Sequence, residues 1–136
     1  MNKFQSALNL IGRIAIAALF LPAGIQKLME IQGTTEYFGS LGIPAFTVVV
    51  WIVIAIEIFG SLALILGYKT SLVAIGLAIF TLGASIVGHP FWAAPQDAIF
   101  IAQLLFVKNI AVLGGLLVLA SSGSGSFSLD SRNSKL

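Results

Sequence analysis

Three ionisable side chains interrupt long apolar stretches of this sequence, where a charge is costly. Glu57 lies near the middle of VVVWIVIAIEIFGSLALIL, Arg13 lies in the first apolar stretch, and Lys108 lies in the last. On insertion scales each costs roughly 2.5 to 3.5 kcal/mol at the centre of a bilayer. We therefore expect the three to face inward and contact one another. Charges held in this way are candidates for ion pairing, proton handling or ligand binding.

A second group of polar side chains falls at one boundary of the same stretches. These side chains could surround the mouth of a single cavity, and a cation and an imidazole beneath aromatic rings would suit the polar head of an amphipathic ring compound. Membrane boundaries also collect tryptophan, histidine and lysine without any ligand, so a purely interfacial role stays open. The group consists of Gln26, Lys27, His89, Trp92, Asp97 and Gln103.

The inventory of reactive side chains excludes several functional classes. The chain has no cysteine and a single histidine, His89, so disulfides, Cys-ligated clusters and a bis-histidine haem cannot be built from it. No triad-like setting or phosphate loop is present, and a net charge of +2 gives no footprint for nucleic acid. We expect no covalent or metal cofactor, and a non-catalytic membrane subunit rather than a self-sufficient oxidoreductase.

The elements that must position these residues are predicted to be membrane-spanning helices. Of the 136 residues 58% are hydrophobic and only 9% are charged, and the mean hydropathy is +1.05, which is typical of an integral membrane protein. Three further apolar stretches follow the first, which argues against a cleaved signal peptide. The serine- and glycine-rich tail, residues 121–136, is predicted to be mobile and cytoplasmic. The predicted spans of this all-α four-helix bundle are 7–28, 44–66, 70–88 and 98–120.

Basic residues predict the orientation of the bundle. Lys3, Lys69, Arg132 and Lys135 fall on the side of the termini, and Lys27 falls on the other side. Because cytoplasmic loops carry an excess of lysine and arginine, both termini are predicted to be cytoplasmic.

Depth in the bilayer suggests how the buried charges pair. At a rise of about 1.5 Å per residue, Glu57 would lie between Arg13 and Lys108 in depth. A two-pronged pairing of Glu57 with Arg13 is therefore predicted, with Lys108 as a second partner. Such a network could be purely architectural or could handle protons or a ligand, and Lys108 could instead reach water along its own stem.

Several motifs, taken in order, resemble the DoxX family of small bacterial inner-membrane proteins. They are the early arginine Arg13 followed by GIQKL, YFGSLGIP, EIFGSLALILG, GHPFW, KNIAVLGGLLVLA and SLD. The resemblance covers nearly the whole chain. The tail departs from the family, which often has a Gly-Pro-Gly step before SLD where this chain reads GSGSF. The resemblance implies a four-helix membrane bundle, and it places the family's charged pattern on Arg13, Lys27, Glu57 and Lys108, with Asn109 beside it.

The family is named for a subunit associated with a quinone-linked oxidoreductase. The leading hypothesis is therefore an accessory subunit of such a redox system, which binds a quinone or similar lipophilic molecule at the buried charges. Lipids, a redox-enzyme partner and further copies of the chain are the expected contacts. The alternatives are a small oligomeric transporter or channel for a solute or protons, and a membrane scaffold without a ligand.

Overall fold

The computed structural model describes residues 1–134, and all regular structure in this range is helical. The four predicted spans are confirmed as long apolar helices. The elements are α1 (Lys3–Met29), α2 (Ile31–Ser40), α3 (Phe46–Leu66), α4 (Thr70–Gly88), a short 3₁₀ helix (Phe91–Ala93), α5 (Ile99–Ser122) and α6 (Leu129–Asn133).

Local signals fix where the helices begin and end. The first helix starts earlier than predicted because Asn2 and Gln5 form a capping box, in which each side chain accepts a hydrogen bond from the other's backbone N–H. The third helix ends at Gly67, which has a φ of 68°. There the N–H groups of Gly67 and Tyr68 donate to the carbonyls of Leu64 and Ala63, the Schellman arrangement that glycine favours.

The segment between the first two predicted spans forms a helix, although its glycines and polar residues are typical of a loop. Residues Ile31–Ser40 form α2, and Phe38 is its buried residue. Phe38 packs with Val50 and Ile54 of α3. The apolar positions Ile31, Phe38 and Leu41 recur at spacings typical of one helical face, and burial of that face outweighs the weak helix propensity of the two glycines.

The four long helices pack as two close pairs, α1 with α3 and α4 with α5. Between the pairs lies an apolar core of residues from all four helices: Phe20, Leu64, Ala74, Leu77, Ala78, Leu116 and Leu119. Consecutive helices run antiparallel, so one end of the bundle carries the start of α1 and α6. We call it the terminal end. The opposite end carries α2 and the 3₁₀ helix.

The tail is packed against the bundle, which corrects the prediction of a mobile segment over its described part. Ser124 and Ser128 are buried and hydrogen-bonded to each other at 2.9 Å. The N–H of Ser126 donates to the hydroxyl of Ser6 in α1 at 3.1 Å. Polar contacts to buried groups of α1 hold this segment, and a composition dominated by serine and glycine gives no hint of them. Residues 135–136 of the predicted tail lie outside the described residues.

Candidate functional site

Glu57 is buried inside the bundle and pairs with Lys27. Both carboxylate oxygens accept a hydrogen bond from the Lys27 ammonium at 3.0 Å. The Glu57 side chain is 7% exposed and that of Lys27 is 27% exposed. This is the one ion pair within residues 1–134. Lys27, predicted in the boundary group, and Glu57, predicted among the buried charges, therefore belong to a single site.

A close approach of α1 to α3 sets this pairing. A Cβ atom added at Gly24 would lie 2.9 Å from the Cβ of Glu57 and 2.9 Å from the Cγ1 of Ile58, closer than real Cβ atoms come. Glycine at position 24 therefore allows the two helices to touch at the level of Glu57. Lys27 follows three residues later on the same face, so its ammonium reaches the carboxylate.

The predicted pairing of Glu57 with Arg13 is wrong, and so is the shared network with Lys108. Gly24 lies beside Glu57, and Arg13 lies eleven residues earlier in α1, about 16 Å away along the helix axis. Neither Arg13 nor Lys108 hydrogen-bonds Glu57 within the described residues. The depth estimate failed because it took the span boundaries as level, whereas the contact at Gly24 fixes the offset between the helices.

Arg13 instead donates hydrogen bonds to the C-terminal end of α3 and to the tail. Its side chain is fully buried, at 0% exposure. One terminal nitrogen donates to the carbonyl oxygens of Leu64 at 2.9 Å and Ile65 at 3.2 Å, and the other donates to that of Phe127 at 2.5 Å. The Nε donates to the side chain of Asn9 at 3.0 Å. The guanidinium thus satisfies carbonyls that the end of a helix leaves without partners.

Asp130 completes this polar region from α6. Its two carboxylate oxygens accept hydrogen bonds from the backbone N–H groups of Lys69 at 2.6 Å and Thr70 at 2.9 Å. It therefore caps α4, whose own N-cap residue, Lys69, makes no side-chain cap. Partial burial raises the pKa of Asp130, but the hydrogen bonds from Thr70 and Lys69 outweigh it, and the pKa lies below its ordinary value. We call the group Asn9, Arg13, Phe127 and Asp130 the terminal cluster.

A cavity of about 570 Å³ lies toward the opposite end of the bundle. Its walls are mostly apolar and come from α1 to α5, with Phe20, Val53 and Phe80 among them. Its polar groups include Lys27, Tyr37, Glu57, Thr81, His89, Lys108 and Asn109. A cavity of this size, with apolar walls and a few polar groups, is typical of a site for a small amphipathic molecule.

The cavity collects some of the predicted site residues and leaves others outside. Lys27, Glu57, His89, Lys108 and Asn109 all line it. Arg13 does not line it, since it lies in the terminal cluster.

The remaining members of the predicted boundary group are dispersed. Gln26 lines a smaller neighbouring cavity of about 250 Å³, with Lys27 between the two. Trp92 packs against Phe91 and Phe106, with ring centroids 5.2 Å and 5.7 Å apart. Asp97 and Gln103 are exposed and line neither cavity. The predicted single ring of six polar residues is therefore reduced to Lys27 and His89.

Sequence reasoning missed the contribution of α2 to the cavity. Tyr37 and Phe38 both line it, and neither is among the predicted site residues. The helical spacing of Ile31, Phe38 and Leu41 is the sequence signal that predicts this helix and its buried face.

Comparison with known proteins identifies the family of this chain. The DoxX family model matches residues 8–90. This chain belongs to the DoxX family. It is 35% identical over 94% of its length to the inner membrane protein YphA of Escherichia coli (strain K12), covering 91% of that protein. It is 34% identical over 96% of its length to the inner membrane protein YqjF of the same strain, covering 95% of that protein.

A further relative carries a chemical term in its name. CatD of Bacillus subtilis (strain 168), whose name includes the word oxidoreductase, is 31% identical over 63% of each chain. No solved structure matches the chain. With its family membership and four spanning helices, the chain is a multi-pass inner-membrane protein.

The DoxX-like motifs fall in both polar regions of the bundle. GIQKL contains Lys27 and EIFGSLALILG begins at Glu57, so these two motifs supply the ion pair of the cavity. SLD contains Asp130, which caps α4 in the terminal cluster. The resemblance therefore identified residues that contact one another, whereas the partners predicted for Glu57 from depth in the bilayer were wrong.

Proposed function

We propose that this DoxX-family chain binds a quinone or a similar lipophilic molecule in the 570 Å³ cavity, as an accessory subunit of a quinone-linked redox system. The cavity itself carries the proposal, because it combines apolar walls with a small group of charged and amide side chains. The walls would contact the ring and its tail, and Lys27, Lys108 and Asn109 would orient the oxygens of the head.

The cavity is accessible from outside the bundle along part of its wall. Tyr37, Val87 and Lys108 line it and are also exposed. A lipophilic ligand dissolved in the bilayer could therefore enter without unfolding a helix. Exposed apolar side chains on a spanning helix face lipid, which is the phase in which a quinone dissolves.

Electron transfer in this proposal belongs to a partner protein. Residues 1–134 contain no group of three His, Cys, Asp or Glu side chains placed to hold a metal ion. The name of CatD gives independent support for a role in redox metabolism. The chain would hold or deliver the lipophilic molecule, and a partner enzyme would reduce or oxidise it.

Ligand binding fits the arrangement of polar groups better than conduction through one chain does. The apolar core, which includes Phe20, Leu64, Leu77 and Leu116, lies between the cavity and the terminal cluster. A proton or small solute that crossed the bundle would have to pass this layer. The cavity is therefore better suited to a ligand that enters and leaves on one side.

The orientation of the bundle places the cavity toward the outer side of the membrane in this proposal. Lys3, Lys69 and Arg132 lie at the terminal end, and Lys27 lies at the other, so the positive-inside rule favours cytoplasmic termini. Because the chain has no cysteine, single cysteines at Ser40 and Ser134 can report sidedness in intact cells. An impermeant reagent should label only the Ser40→Cys variant, and labelling only of Ser134→Cys would reverse the orientation.

Binding can be tested with the purified protein in nanodiscs. Short-tailed ubiquinone and menaquinone analogues should bind saturably to the wild-type chain. The variant Gly83→Phe should weaken binding, because Gly83 lines the cavity and a phenyl ring there would occupy part of its volume. An added Cβ at this position meets no atom within 4 Å, so the substitution starts in open space.

Gly76→Phe is the matched control for this variant. Gly76 also has open space at its Cβ, lies seven residues earlier on the same face of α4, and lines neither cavity. This control should bind as the wild type does. The absence of saturable binding by the wild type, or an equal loss in both variants, would remove the proposal.

A further inference from the structure

Lys108 is a cation without a counter-ion inside the membrane-spanning part of the chain. It lies nine residues into α5, about 14 Å from the first residue of the helix. It lines the cavity and is exposed. Within residues 1–134 its ammonium makes neither a hydrogen bond nor an ion pair. A lysine at this depth lowers stability, so its presence calls for a compensating contact.

None of the five acidic side chains of the sequence supplies that contact. Glu57 uses both oxygens for Lys27, and Asp130 caps α4 at the terminal end. The other three, Glu30, Glu36 and Asp97, do not line the cavity.

The lining of the cavity therefore carries an uncompensated positive charge. Lys27 is neutralised by Glu57 at 3.0 Å, which leaves Lys108 as the excess. Asn109 is adjacent to it and also lines the cavity, as does His89, which can donate a hydrogen bond. A cation in an apolar cavity attracts an anion more strongly than it would in water, because the surrounding dielectric is low.

We propose that the cavity selects an amphipathic anion: a lipophilic ring compound whose head carries one ionised hydroxyl or carboxylate, held by Lys108 with Asn109 and His89 as neutral hydrogen-bonding partners. This inference rests on the proposed function, since it names the ligand class of the same site. It adds the sign of the charge, which the proposal of a quinone alone leaves open. A neutral ligand would give the Lys108 ammonium no oppositely charged partner, so it would lack the attraction that an anion gains in the cavity.

The test compares two probes that share a body and differ in charge. A 2-hydroxy-3-alkyl-1,4-naphthoquinone is ionised at neutral pH, and its 2-methoxy counterpart is neutral. We expect the hydroxy compound to bind wild-type protein in zwitterionic nanodiscs about tenfold more tightly. The variant Lys108→Met should abolish this preference and Lys108→Arg should keep it. Lys3→Met, a distant exposed position at the terminal end, should change nothing.

The outcomes separate this inference from the proposed function. Tighter or equal binding of the methoxy compound by the wild type, or a preference that persists in Lys108→Met, would overturn the anion inference and leave the quinone site standing. Binding of neither compound would remove both. Repeating the titration in nanodiscs that contain phosphatidylglycerol tests the source of the anion: no effect of this lipid supports the ring compound, whereas competition that depends on Lys108 keeps the anion site but overturns the ring compound in favour of a lipid headgroup.

Discussion

The two polar regions of this bundle treat their intramembrane charges in opposite ways. In the terminal cluster, Arg13 is fully buried and donates to three backbone carbonyls and to Asn9. In the cavity, Lys27 and Glu57 neutralise each other, while Lys108 has no partner among residues 1–134. Charged side chains therefore stabilise the fold at the terminal end, and at the other end they include a cation that can bind a ligand.

This difference shows how a charge that stabilises the fold can be distinguished from a charge that can bind a ligand. A buried cation whose nitrogens all donate within the chain fixes the positions of the segments that supply the acceptors, here the end of α3 and the tail. A cation that lines a cavity with its donors unused gains more from a ligand than from its own chain. The comparison can be tested by changing one region at a time.

The largest effect is expected at Arg13. Replacing it by methionine leaves the carbonyls of Leu64, Ile65 and Phe127 without their donor. We expect the free energy of unfolding to fall by about 3 to 5 kcal/mol, measured by denaturant unfolding in detergent. Lys3→Met, which removes an exposed lysine of the same helix, is the control and should cost under about 0.5 kcal/mol. A loss below about 1 kcal/mol for Arg13→Met would show that the terminal cluster contributes little to the stability of the fold.

A slightly smaller effect is expected at Gly67, where α3 ends against the tail. Its φ is 68°, and an added Cβ would clash with the Cβ of Ser128 and lie 2.5 Å from a terminal nitrogen of Arg13. Gly67→Ala should lower the free energy of unfolding by about 2 to 3 kcal/mol.

Gly42→Ala separates the two causes of that loss. Gly42 has a φ of 72°, but its Cβ would meet nothing within 4 Å, so the variant reports backbone strain alone. It should cost about 1 kcal/mol. Equal losses at positions 42 and 67 would show that packing of the tail against Gly67 contributes nothing.

The ion pair of the cavity should show a moderate coupling. A double-mutant cycle with Lys27→Met, Glu57→Gln and the double variant isolates the interaction between the two side chains. We expect a coupling of about 1 to 2 kcal/mol in thermal or denaturant unfolding, because Glu57 is buried and Lys27 is partly exposed. A coupling near zero would mean that the two groups are separately solvated, and the cavity would then carry three unpaired charges, Lys27, Glu57 and Lys108, instead of one.

The smallest effect in this series concerns Asp130 and depends on pH. Asp130→Ala removes the cap of α4 and should cost about 1 kcal/mol at neutral pH. The folded state lowers the pKa of Asp130. Its contribution is therefore fully present above the ordinary pKa of about 3.9 and is lost as the pH falls through the lower folded value.

The pH dependence has a direct control. The stability difference between wild type and Asp130→Ala should be constant from pH 7 down to about 5 and should shrink below about 4. Gly42→Ala, which removes no ionisable group, should show a stability difference that does not change over this pH range. A difference that grows on acidification would contradict the capping role.

The sequence predicted the faces of the helices better than the contacts between them. Asn9, Arg13, Phe20, Gly24 and Lys27 fall in one sector of α1 at 100° per residue, and Arg13, Phe20 and Gly24 are indeed buried. The partner of Glu57 was not predictable from that periodicity. It depends on the axial offset of two helices, which a close contact at a single glycine decides.

The packing of the tail and of α2 was not predicted, for a related reason. Composition reports how much apolar surface a segment can bury, and both segments are rich in glycine and polar residues. The tail is held by hydrogen bonds, such as those from Arg13 and to Ser6, and these contacts cannot be recognised until the bundle exists. The helix α2 is held by Phe38, a single large side chain buried against α3.

One double comparison tests the central claim most directly. The dissociation constant of the acidic naphthoquinone and the melting temperature should be measured in nanodiscs for wild type, Lys108→Met and Asp130→Ala. We predict that Lys108→Met weakens binding about tenfold without lowering the melting temperature, and that Asp130→Ala lowers the melting temperature without changing the dissociation constant. Loss of binding in Asp130→Ala with unchanged binding in Lys108→Met would contradict the division of the bundle into a terminal end that stabilises the fold and an opposite end that binds the ligand.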